Sequence, residues 1–164
     1  MKLMSIHPVA QPLRLAMLVI LSAVVVSCGT RGGGSSASVR PPADPEATVR
    51  SFLNAVKANS MAGMGQLWGT ANGPASANLD AATLEQRLTV IRIYLEHDEF
   101  TIVSGNPVAG VNVEAGERAV FVRLSRRGCT PTVPFTLVPH GGGWLVRDID
   151  LAAAGNPSRS CRDE

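Results

Sequence analysis

The sequence predicts an α+β domain, with N-terminal helices packed against an antiparallel sheet. Three observations predict it. Apolar residues recur at helical spacing as far as Leu95, the period becomes two from Phe100 onward, and turn residues cut the second half into strand-length pieces. Helices followed by an antiparallel meander define the class. With 164 residues the chain has room for one domain of ordinary size.

The elements follow in order. Asp44-Pro45-Glu46 opens a helix, with Asp as N-cap, Pro at the first helical position and an acid in the first turn. Val49, Phe52, Leu53 and Val56 then form one apolar stripe, and Asn59-Ser60 ends it. A short second helix holds Met61, Met64, Leu67 and Trp68, with Gly63 and Gly65 counting against it. Residues 69–79 read as a loop. Asp80 caps a third, longer helix whose stripe is Leu84, Leu88, Ile91 and Leu95. Strands are expected near 99–104, 109–114, 118–126, 132–139 and 143–150, with hairpin turns at 114–117 and 140–143. Pro131, Pro134 and Pro139 make the fourth of these irregular or place it at an edge. The third helix is expected at the centre of the core, with the first covering an adjacent part of the sheet.

The amino terminus reads as an address. Lys2 and Arg14 form a basic, acid-free start, and Leu15 to Val26 is a 12-residue apolar run broken only by Ser22. A spanning helix needs about 20 such residues, so the run is the core of a secretory signal. Residues 29–43, rich in Gly, Ser and Pro, form a flexible tether whose end Pro41-Pro42 stiffens. Gly32-Gly33-Gly34 belongs to that tether, since no strand precedes it and no Lys-Ser/Thr pair follows at phosphate-loop spacing.

Val25-Val26-Ser27-Cys28 resembles the bacterial lipobox. The resemblance implies cleavage before Cys28, diacylglycerol on its sulfur and N-acylation of the new terminus. Residues 1–27 are then a signal peptide, 28–43 the tether and 44–164 one domain. Several acyl chains hold a protein on a bilayer effectively permanently. The expected location is the extracytoplasmic face of the cell membrane or outer membrane. Gly29, in the place where Asp would signal retention, favours the outer membrane where there are two.

From PEATVRSFLNAV through the helical block to GGGWLVRDIDL, residues 44–151 resemble the nuclear transport factor two-like fold. The resemblance implies N-terminal helices packed in the concave face of a curved, cone-like antiparallel sheet wrapped around a long helix. One departure is that 69–79 offers no short strand between the second and third helices. No catalytic motif of that superfamily's isomerases or dehydratases is matched, so no catalytic residue carries over.

Charge excludes one class of partner. Without Lys2 and Arg14 the basic residues equal the 13 acidic ones, and no basic run longer than Arg126-Arg127 exists. Nucleic acid is not an expected partner.

Candidate chemistry is sparse. With Cys28 lipidated, Cys129 and Cys161 remain as a pair, and in an oxidising compartment they are expected to form a disulfide. No metal-ligand spacing, cofactor loop or nucleophile–base pair is present, so neither a metal nor a cofactor is expected. Tyr94 and His97 are neighbours one helical turn apart and, with Trp68, are the candidate cavity residues; the plainer reading makes His97-Asp98-Glu99 a solvated helix end. His140-Gly141-Gly142-Gly143 lacks the Gly-x-Ser-x-Gly elbow of an esterase and reads as a turn. Asp148 and Asp150 are expected to pair with Arg123 or Arg147. The function expected is an envelope lipoprotein with a small non-catalytic binding or assembly domain, its partner an envelope protein or small apolar ligand. The alternative is an isomerase- or hydratase-like enzyme, or a ligand binder, using a cone cavity.

Overall fold

The computed structural model describes residues 40–161 except 107 and 109. Cys28, the signal segment and most of the tether lie outside the described residues. Four helices and six strands follow one another: α1 (Pro45–Lys57), α2 (Met61–Leu67), β1 (Gly69–Thr70), β2 (Gly73–Pro74), α3 (Ala75–Asn78), α4 (Ala81–Tyr94), β3 (Glu99–Val103), β4 (Arg118–Ser125), β5 (Thr132–His140) and β6 (Gly143–Ile149). Strands β3 to β6 form one curved, open, antiparallel sheet in chain order, and β1 and β2 form a separate small hairpin. The α+β class holds.

Local chemistry explains the helix ends. The Asp44 carboxylate accepts the Ala47 N–H at 2.8 Å, and Pro45 occupies the first turn. At the other end Asn59 takes the left-handed conformation with φ 53°. The N–H of Ser60 then reaches the Ala55 carbonyl at 2.9 Å and that of Asn59 reaches Val56 at 3.0 Å, a Schellman closure. Ser60 at once caps α2, its hydroxyl accepting the Gly63 N–H at 3.1 Å. The glycines of α2 are there for close approach. A Cβ at Gly63 would stand 3.2 Å from Ala55 Cβ, and one at Gly65 would stand 3.3 Å from Leu84 Cδ2.

Asp80 caps α4, its carboxylate accepting the Thr83 N–H at 3.0 Å. Hydrogen bonds from Thr83 backbone and side chain hold the Asp80 carboxyl below the ordinary carboxylate range. A depressed folded-state pKa means that this stabilisation is complete above about pH 4, where an unfolded Asp is also ionised, and is lost as pH falls through the folded value. Urea titrations at pH 7 and pH 3 should therefore show the stability gap between the natural chain and Asp80→Asn narrowing in acid. A gap that widens in acid would contradict this.

Four sequence expectations are corrected. Residues 69–79 are not all loop: they hold the β1–β2 hairpin and the helical turn α3. Residues 110–114 form no strand, although the turn at 114–117 exists, with the Glu117 N–H on the Glu114 carbonyl at 3.0 Å. Strand β5 lies at the centre of the sheet, not an edge. It accommodates Pro134 opposite Phe121, and the Pro134 carbonyl takes the Asp150 N–H at 3.0 Å. The irregularity expected in β5 lies in its pairing with β6, where the extra residue is on β6. Leu137 pairs with Val146 and Thr136 with Asp148, which leaves Arg147 as the extra residue of a bulge. Finally, α1 and not α4 is the helix whose backbone packs on β4 and β6. The α1 stripe is continuous from Val49 to Val56, whereas α4 carries apolar residues on its outer side as well, Val90 and Ile93 among them.

The β5–β6 turn is a two-residue hairpin. His140 pairs with Gly143, and Gly141 and Gly142 both have positive φ, as a type I′ turn requires. Gly143 has no room for a Cβ because the Pro41 carbonyl lies against it. The Pro42 carbonyl accepts the Trp144 N–H at 3.0 Å, so the chain enters α1 alongside the start of β6. Thr48, fully buried, seals the junction with its hydroxyl on the Asp44 carbonyl at 3.1 Å.

Candidate functional site

The concave face of the sheet is filled. Phe52, Leu53, Met64, Leu88 and Leu95 from the helices meet Val122, Val133, Phe135, Leu137 and Val146 from the strands, and all are fully buried. Ligand-sized spaces are found instead at the surface. One is a groove of about 410 Å³ between α4 and the end of β6, lined in part by Trp68. Val90 and Ile91 supply one wall, and Ile149 and Leu151 the other. A compartment of about 250 Å³ adjoins it, lined by the β1–β2 hairpin and α3. Trp68, Arg87 and Arg147 border both spaces and form the neck between them.

Each neck residue has a structural reason for its place. Trp68 ends α2, its N–H on the Met64 carbonyl, and its backbone bridges in parallel to Val146 on the outer edge of β6. Arg147 is the bulged residue of β6, thrown out of the ladder and onto the sheet edge. Its guanidinium meets Glu117 at 2.9 Å and Glu114 at 3.8 Å, while its Nε is buried without a hydrogen-bond partner. Arg87, exposed on α4, makes no ion pair with a described residue, and neither does Asp148 at the groove's far wall. The expected pairing of Asp148 and Asp150 with arginines is thus replaced: Glu117 takes Arg147, and Asp150 caps the Ala153 N–H at 2.9 Å.

A second site is a latch. Cys129 and Cys161 form a disulfide with Cα atoms 5.0 Å apart. Beneath it Arg126 is buried, donating to the carbonyls of Tyr94, Ala154 and Gly155. Burial, and then the like charge of Arg127, lowers its pKa, with Glu96 opposing the shift. This single side chain joins the end of α4 to the C-terminal segment.

Of the expected cavity residues, Trp68 alone lines the groove. Tyr94 packs partly against the core, and His97 lies beyond the end of α4 with its ring edge-on to Phe100 at 5.4 Å. His97 is not a solvated helix end: it is 7% exposed, its Nδ1 lies 2.7 Å from the Leu95 carbonyl, and its Nε2 is buried without a partner. Asp98 and Glu99 are exposed as expected. Among the described residues no group of three His, Cys, Asp or Glu is placed to hold a metal ion. Among them, too, no helix is long and apolar enough to cross a membrane.

Sequence reasoning passed over Arg126 and Arg87. Arg126 had a signal, since it continues the inward series Val120, Val122, Leu124 at the strand period. Arg87 had none, because an exposed helical arginine is ordinary and only the position of Trp68 gives it a setting. The chain matches no family model, no curated protein and no solved structure.

Proposed function

We propose that the protein is a lipid-anchored protein of the cell envelope whose domain acts by binding, without catalysis, through the surface groove at Trp68. The observation that supports the binding half is the groove itself, about 410 Å³ and walled by Val90, Ile91, Ile149 and Leu151, beside a concave face filled by packed core side chains. Of the candidate groups Tyr94 and His97, neither lines the groove, and His97 is closed in by Phe100 and the Leu95 carbonyl. The anchoring half rests on Val25-Val26-Ser27-Cys28 at the end of a 12-residue apolar run. A nuclear transport factor two-like plan is part of the same reading. The β1–β2 hairpin, lying against β6 between α2 and α4, supplies the element that 69–79 had been expected to lack.

Metabolic labelling with a clickable fatty acid tests the anchor. The natural chain is expected to label and to fractionate with membranes, and Cys28→Ala to do neither. Labelling that survives Cys28→Ala removes the lipoprotein reading.

A further inference from the structure

We propose that the neck of the groove binds the single negative charge of a small amphipathic carboxylate, whose apolar body lies along Trp68 in the larger compartment. The proposal deepens the binding reading above and rests on it.

The size of the space comes first. About 410 Å³ lies in the range of small-molecule sites, and its walls of Val90, Ile91, Ile149 and Leu151 are apolar. Trp68 offers an aromatic surface for a flat or chain-like apolar body. Its indole N–H donates to no described residue.

Charge selects the head group. Two guanidinium groups border the neck, and they are not equivalent. Arg147 is already engaged by Glu117 and Glu114, so it adds no uncompensated charge. Arg87 has no acidic partner among the described residues. The unpaired guanidinium of Arg87, lining the same groove as Trp68, suits a carboxylate, which accepts two parallel N–H donors from one guanidinium. Asp148, also unpaired and in the same lining, offsets part of the Arg87 positive charge, so a dianion such as a phosphate monoester is disfavoured more strongly than a monoanion.

The test uses the full lipidated chain in lipid nanodiscs and three probes that share one body: 2-naphthoate, 2-naphthamide and 2-naphthylmethylammonium. The readout is the indole N–H resonance of Trp68, distinguished from that of Trp144, the other tryptophan, by Trp68→Phe. Naphthoate is expected to move the Trp68 resonance saturably and to bind at least tenfold more tightly than either other probe. Arg87→Gln is expected to bring naphthoate down to the level of naphthamide, with Arg87→Lys recovering part of the loss. Arg87 is exposed, so these variants leave the core intact. Equal affinity for all three probes, or tighter binding of the ammonium, overturns the anion assignment while the groove remains a binding site. No saturable shift at Trp68 with any probe overturns the assignment and the groove together.

Discussion

Phe135→Ala is expected to be the most damaging single substitution in the domain, costing about 3–5 kcal/mol as large-to-small changes in a packed core do. Phe135 is fully buried at the middle of the central strand, paired with Val120 on one side and Ile149 on the other. Its ring meets that of Phe52 edge-on, with centroids 6.4 Å apart and planes at 71°. Truncation opens a cavity between α1 and the sheet, and a centrally held β5 has no freedom to collapse into it. At about 4 °C per kcal/mol for a domain of this size, a thermal melt should shift down by roughly 12–20 °C. Val90→Ala, at a position 46% exposed, should shift it by no more than about 0.5 kcal/mol. A cycle with Phe52→Ala should show about 0.5–1.5 kcal/mol of coupling beyond the sum of the two cavities. If Phe135→Ala proves mild while Leu88→Ala is severe, α4 and not α1 is the helix that holds the sheet.

That result would also decide which of two readings of the pattern was right, because the sequence favoured α4 at the centre. The stripes of α1 and α4 look equally regular on paper. What separates them is the outer side. Every apolar residue of the α1 stripe is buried, whereas α4 leaves Val90 and Ile93 facing outward, and a pattern count cannot tell a core face from a groove wall. Ser60 reads as the end of α1 and its cap on α2 was missed, whereas the caps at Asp44 and Asp80 were legible because each acts within three residues of itself. The turn glycines were legible for the same reason, and so were the four long strands. The β1–β2 hairpin was not, since two-residue strands carry no periodicity. It exists because Trp68 bridges to Val146, about eighty positions away. His97 misled because its helix-end position suggests solvent, while β3 folds Phe100 back onto its ring. The groove was the least legible feature. Its three neck residues come from a helix end, a helix face and a strand bulge, and no spacing rule links them.

The second large effect belongs to the C-terminal latch. Breaking the disulfide with Cys129→Ser and Cys161→Ser should cost about 3–4 kcal/mol, the loop-closure value for a crosslink 32 residues apart. Treatment of the natural chain with a reductant should reproduce the loss, since Cys161 is exposed and Cys129 half-buried. The cost is not borne by the crosslink alone. Arg126 is solvated on its inner side only by carbonyls, and two of these, Ala154 and Gly155, belong to the segment that the disulfide retains. When that segment leaves, the guanidinium keeps Tyr94 but must find water for its remaining donors. Conversely, Arg126→Met in the crosslinked protein strands the Tyr94 and Ala154 carbonyls, at roughly 1–3 kcal/mol for each buried group left unpaired. In the uncrosslinked protein the Ala154 carbonyl already reaches water, so the same substitution should cost less there. Chemical denaturation of the four proteins in this cycle should therefore show the two losses summing to less than independent effects would give. Strict additivity would mean that Arg126 and the disulfide hold separate parts of the fold, and the single latch would have to be given up.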